Sequence, residues 1–196
     1  MKKLVYLLTA LFCFSVVNAQ KNNLNKSAGI TISLPLINNV SFYRYSTDGE
    51  GGNGNQGGYL GAGVALFYQE NQNKFSLVFE SPLMSKSLFL PKGGNSNIST
   101  NIFEATIHHK VLSQVALIGG LNYATYRFQV YTDIPPFPKV DKRDETIGFT
   151  AGAEFLPSKS TSVIVTYRPS IFCFDKKSYR AIFSLGITYD IKFWKK

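Results

Sequence analysis

The sequence predicts an all-β chain folded as an antiparallel, up-and-down transmembrane barrel of about eight strands, and three observations lead to it. Long segments alternate apolar and polar residues with a period of two, most plainly from Tyr179 to Phe193. Short and long connections between these segments alternate, as they do when turns gather at one end of a membrane barrel and loops at the other. The polar face of the segments is made mostly of Gly, Ser and Thr, the small side chains that a narrow interior can hold, where a solvated face would be rich in Lys and Glu.

The composition agrees. With 196 residues, one domain is expected; 44% hydrophobic and 14% aromatic residues exclude a disordered chain and favour strands. Beyond the first twenty residues no stretch is long and apolar enough for a membrane helix. The net charge of +9 raises the question of nucleic acid, but the basic residues are scattered over turns, loops and the C-terminal tail rather than gathered in a stripe. No nucleic-acid partner is expected. Attraction to anionic lipid headgroups accounts better for the surplus.

In chain order, residues 1–19 read as a signal peptide: Lys2-Lys3, an apolar run from Leu4 to Val17, and Val17-Asn18-Ala19 before Gln20, with cleavage expected between Ala19 and Gln20. Cys13 lies inside this leader, leaving Cys173 alone, so no intramolecular disulfide is expected in the mature chain. A short segment, 20–28, precedes a barrel expected over 29–193. Ile30, Ile32, Leu34 and Leu36 alternate with Thr31 and Ser33, and the phase slips at Asn38-Asn39. One bulged strand is preferred there to a hairpin, although Pro35 sits badly in a central strand. Asp48 to Gly58 reads as an exposed glycine-rich loop, since no Gly-Lys-Ser/Thr follows it to cradle phosphate.

Tyr59–Gln69 and Lys74–Pro82 form a hairpin about a short polar turn, and Met84–Ile98 is a long connection. Ser99–Leu112 and Val115–Tyr131 follow, joined at Ser113-Gln114. Thr132–Glu145 is a proline-bearing loop; Thr146–Leu156 and Thr161–Phe174 make the next pair, and Asp175–Ser178 leads into the last strand. A basic tail, 194–196, is expected after it.

Which face is outside follows from the small residues. Gly61, Gly63, Gly120, Gly148, Gly152 and Gly186 with Ser76, Thr106, Thr150 and Thr166 are assigned inward. Aromatics on the opposite face form two girdles: Tyr68, Phe75, Phe155, Tyr189 and Phe193 towards the turns, and Phe103, Tyr123, Tyr167 and Tyr179 towards the loops. The soluble alternative, a lipocalin-like barrel, would turn these faces inside out. Charges on the inward face, Glu80, Glu104, Lys110, Glu154, Arg168, Arg180 and Asp190 with His108, are expected to pair across the lumen and plug it.

Chemistry is sparse. His108 and His109 are adjacent on a strand and point to opposite faces, so they cannot share one site. No Cys/His spacing suits zinc and no acidic loop suits calcium, so neither metal nor cofactor is expected. A surface serine hydrolase would need His109 with a serine such as Ser113 and a carboxylate, and no motif surrounds that pair.

The run Gly186, Ile187, Tyr189, Ile191, Phe193 resembles the C-terminal insertion signal of bacterial outer-membrane barrels, from which the Trp194-Lys195-Lys196 extension departs. With the leader, strand count and loop asymmetry, the chain resembles the small eight-stranded outer-membrane proteins, OmpX-like or like the OmpA membrane domain. That resemblance implies a Gram-negative outer-membrane location, the barrel-insertion machinery and outer-membrane lipids as partners, loops that recognise an unknown ligand, and a monomer with a structural or surface-interaction role and no enzymatic activity. A lipid-modifying enzyme of the same fold and a narrow porin-like channel are the alternatives.

Overall fold

The computed structural model describes residues 26–44, 52–84, 95–131, 140–156, 158, 160–174 and 178–195. They form β1 (Lys26–Arg44), β2 (Gly52–Glu70), β3 (Asn73–Met84), β4 (Asn95–Leu112), β5 (Val115–Tyr131), β6 (Val140–Phe155), β7 (Thr161–Cys173) and β8 (Ser178–Lys195). Each strand pairs antiparallel with its neighbours in chain order, and β8 pairs with β1 to close the barrel. Closure gives both flanks of every strand a ladder partner.

The period of two dictates the wall. On β3, Lys74, Ser76 and Glu80 are buried while Phe75, Leu77 and Phe79 between them are exposed. Leu77, Leu185 and Ile187 stand 64%, 42% and 45% exposed, so the apolar face looks outward. This excludes the lipocalin-like arrangement.

The turns and both ends of the barrel lie together. Glu70 pairs with Asn73 across Asn71-Gln72, where Asn71 takes a φ of 56° that asparagine tolerates. Leu112 pairs with Val115 across Ser113-Gln114, and Ser27 pairs with Lys195. Turn carbonyls reach across to the next strand: Lys110 N donates to Gln72 O at 2.8 Å, Leu156 N to Gln114 O at 2.8 Å and Asp190 N to Ser160 O at 2.7 Å. This end is thus laced by the backbone itself.

Several boundaries differ from those expected. β1 begins at Lys26 rather than residue 29, and β8 runs through Trp194 and Lys195, which pair with Ala28 and Ser27; the tail is strand. Gly52 to Gly58, expected as loop, extend β2 against Asn39 to Arg44. Asn95–Ile98 and Val140–Glu145 likewise prolong β4 and β6. Ladder bonds to a neighbour hold such polar segments extended whatever their weak intrinsic preference.

The phase of β1 slips at Leu34-Pro35; at Asn39 to Ser41, next to the expected place, the ladder to β2 shifts again, but there β2 holds the extra residue and β1 keeps its phase. Between Ser33 and Leu36, β1 advances three residues while β2 and β8 each advance two. Leu34 and Pro35, joined by a cis peptide bond, are both exposed, and Leu36 turns inward with no exposed surface. Proline is tolerated because a bulge residue owes the ladder no hydrogen bond. Residues 1–19, expected as a signal peptide, with Cys13 and Ala19 among them, and Gln20 lie outside the described residues, as does the side chain of Tyr179.

Candidate functional site

The barrel interior holds the chain's buried charges, stacked in layers along the axis. At mid-depth, β7 carries Arg168 inward with 2% of its surface exposed. Its Nε and Nη2 donate to Glu104 at 2.9 and 2.6 Å, Nη2 also donates to Glu80 Oε1 at 2.7 Å, and Nη1 donates to Ser184 Oγ at 2.5 Å. Thr150 donates to Glu104, and Ser184 to Asn38 Oδ1. Residues from β1, β3, β4, β6, β7 and β8 thus meet in one knot across the lumen. Charges so far from water persist only with this density of partners.

Turnward of the knot lie two further pairs. Lys74 Nζ donates to both oxygens of Asp190 at 2.8 Å, and Thr31 donates to Asp190 Oδ1 at 2.5 Å. His108 Nδ1 lies 2.6 Å from Glu154 Oε2, and Ser162 donates to Glu154 Oε1 at 2.5 Å. Below them the lumen opens into a vestibule of about 420 Å³ lined by Lys74, His108, Lys110, Ser113, Glu154 and Lys192 among others.

Loopward of the knot the interior becomes apolar. Val40, Tyr59, Ile102, Ala124, Tyr126 and Ile182 form a cluster in which none is more than 1% exposed. On β1, β4, β5 and β8, Val40, Ile102, Ala124 and Ile182 lie one interior position loopward of Asn38, Glu104, Asn122 and Ser184, and Tyr126 lies two positions loopward of Asn122. Beyond them Arg180 pairs with Asp144 and lies 5.0 Å from the Tyr126 ring.

The structure therefore brings Glu80, Glu104 and Arg168 into one knot, His108 and Glu154 into a second group, and Asp190 into a third. Arg180 stands apart at the loop end. Lys110 does not join them: it is exposed at the vestibule, because the strand ends two residues later and water reaches its ammonium. Lys74 and Asp144 are partners the sequence reading passed over. Lys74 shares inward parity with Ser76 and Glu80, and Asp144 shares it with Thr146; extending the alternation one step along each strand finds both. The apolar cluster had no such signal, since inward Ile and Val are not told from outward ones by composition.

Thr106, His108 and Glu154 form a hydroxyl–imidazole–carboxylate line, with His108 Nε2 3.2 Å from Thr106 Oγ1. Acyl transfer there would also need free N–H donors for an oxyanion, and the wall's N–H groups are committed to its ladders. The adjoining cavity, about 40 Å³, admits water but no acyl chain. His109 Nδ1 faces Asn73 Oδ1 at 2.8 Å, and among the described residues no hydrogen bond joins it to Ser113. Among those residues, too, no group of His, Cys, Asp and Glu has the arrangement of a metal centre.

The outer surface is the other half of the site. Tyr68, Phe75, Phe155, Tyr189 and Phe193 are exposed on the turn side of the apolar belt, joined by Trp194. Phe103, Tyr167, Phe172 and Phe183 stand exposed on the loop side with a half-buried Tyr123, and Phe79 packs on Phe103 at 4.7 Å between ring centres.

No family model matches the chain and no curated protein matches it in sequence. Solved structures do. Neisserial surface protein A is similar over 84% of this chain and 99% of its own, at 13% identity and a TM-score of 0.53. Ail, the attachment invasion locus protein of Yersinia pestis, is similar over 87% of this chain and 100% of its own, at 13% identity and a TM-score of 0.54. At such identity the likeness speaks for fold, and the fold is that of the small eight-stranded bacterial outer-membrane β-barrels.

Proposed function

We propose that this chain is a monomeric outer-membrane protein that spans the bilayer with its eight strands, keeps a closed lumen, performs no catalysis, and presents its loop end as a structural or recognition surface. The observation that carries the reading is the exposed apolar belt, rimmed by aromatics at two levels, around an interior whose charges are paired. Such a belt facing water would be an aggregation hazard; facing acyl chains it is a solvent match. Export by a cleaved leader ending at Ala19 fits this location, and the turns and both barrel ends then lie on the periplasmic side.

β4, β5 and β6 are longer than the roughly 9–11 residues that cross hydrocarbon. Towards their loopward ends Arg127 and Arg143 stand exposed, cationic groups that an outside partner could meet. Partners are otherwise outer-membrane lipids and the insertion machinery, with the apolar β8 as the segment it reads.

Membranes separated by fractionation and run on gels with and without boiling test the reading. The chain is expected in the outer membrane with a mobility that changes on boiling, as intact barrels do. A soluble fraction, or identical mobilities, would overturn it. Unaltered lipid A in cells with and without the protein is the outcome expected of a chain that modifies no lipid.

A further inference from the structure

We infer that the vestibule at the turn end of the lumen binds a small soluble polyanion of the phosphate class, of about pyrophosphate size, between Lys110 and Lys192; the inference rests on the barrel reading and gives its periplasmic mouth a ligand. Charge pairing points there first. Among the described residues, the carboxylates at this end are all engaged: Asp190 is bonded to Lys74 and Thr31, Glu154 to His108 and Ser162, and Glu70 to Lys26 at 3.1 Å. Lys110 and Lys192 have no ion pair among those residues, and both line the vestibule. The groups that line it are Lys74, Lys110 and Lys192 against Glu154 and Asp190, so its wall is positive in excess before His108 is counted.

The second observation is placement. In a closed ring of eight strands, β4 and β8 stand opposite one another. Lys110 shares inward parity with His108, and Lys192 shares it with Asp190, so the two ammoniums face each other over one cup. Like charges around a concave, part-enclosed space focus a positive potential into it, and an anion held there gains from both. Uncharged donors occupy the sectors between them: Gln69 on β2, Ser113 in the turn after β4 and Ser158 in the turn after β6.

The ligand class follows from this set. One ammonium can be answered by chloride, but two on opposite walls call for a multivalent anion with acceptor oxygens on both sides, and lysine serves phosphate as a point charge. The volume, about 420 Å³, lies in the roughly 300–1,000 Å³ range of small-molecule sites. Both lysines look into the lumen, away from the lipid-facing wall, so the ligand is a free anion and not a lipid headgroup. The knot around Arg168 closes the floor, and the ligand enters and leaves by the turn-end mouth.

The test is calorimetric titration of sodium pyrophosphate into the full chain, folded in a zwitterionic detergent at fixed sodium chloride, with the heat-shifted band as the check of folding. One saturable site is expected, weakening as sodium chloride is raised. Lys110→Gln and Lys192→Gln are each expected to keep the folded band and to lower the affinity about five- to tenfold, and together to abolish saturable binding. Lys195→Gln removes the same charge at the same end but outside the vestibule, and is expected to leave the affinity within about twofold. No saturable binding by the folded wild type would overturn the site, as would binding retained in the double variant or an equal loss in Lys195→Gln. A wild type with no heat-shifted band would strike the barrel reading, and the vestibule with it.

Discussion

Arg168 shows how much of the interior hangs on one side chain. Its guanidinium separates Glu80 from Glu104 and donates to both, so removing it leaves two buried carboxylates with no counter-ion in the knot. Arg168→Ala is expected to destabilise the barrel by about 3–5 kcal/mol, and Glu104→Ala comparably; Arg168→Met combined with Glu80→Gln and Glu104→Gln should cost less, because no charge is stranded. Midpoints of the mobility shift compare them, and an unchanged midpoint in both single variants would contradict the knot. Lys74→Ala strands Asp190 and should lower the midpoint clearly, whereas Lys110→Ala should stay within about 0.5 kcal/mol, as an exposed substitution does. Parity makes both lysines legible as inward. It does not reveal which one reaches a carboxylate, because that depends on the stagger of eight strands around the barrel, which no single strand encodes.

At the scale of the strand, alternation was enough to read eight elements, their pairing order and their outward face. It misplaced the bulge because Leu36 continues the apolar rhythm of Ile30, Ile32 and Leu34 while in fact changing sides. It also stopped strands short wherever their ends are polar, since ladder partners, not side chains, hold Gly52–Gly58 and Val140–Glu145 extended. Gly119 and Gly120 make the wall's two faces testable with adjacent residues. A methyl at outward Gly119 meets nothing within 4 Å, while one at inward Gly120 would collide with the Ala105 carbonyl oxygen and come within 2.8 Å of Thr106 Cγ2. Backbone cannot yield cheaply. Gly119→Ala should leave the mobility-shift midpoint unchanged, and Gly120→Ala should lower stability by about 1–3 kcal/mol; equal midpoints would mean the faces are wrongly assigned.

For the whole molecule, the question is whether eight strands enclose a passage. An eight-stranded barrel has an interior just wide enough to be filled by its own side chains. Here it is filled twice over by unlike materials: a charged knot at mid-depth and, loopward of it, the layer of Val40, Tyr59, Ile102, Ala124, Tyr126 and Ile182. An ion crossing from the vestibule would first have to part Arg168 from two carboxylates and then shed its water against an apolar layer. Each step alone is a barrier; in series they make the lumen a well with one mouth. The wild type in planar bilayers is therefore expected to show no open-state current of porin size. Ile102→Ala with Tyr126→Ala removes only the apolar layer and should remain closed, because the knot still spans the lumen. A steady current from the wild type would disprove the closed lumen, and a current only from the double variant would place the whole seal in the apolar layer and assign the knot to stability alone.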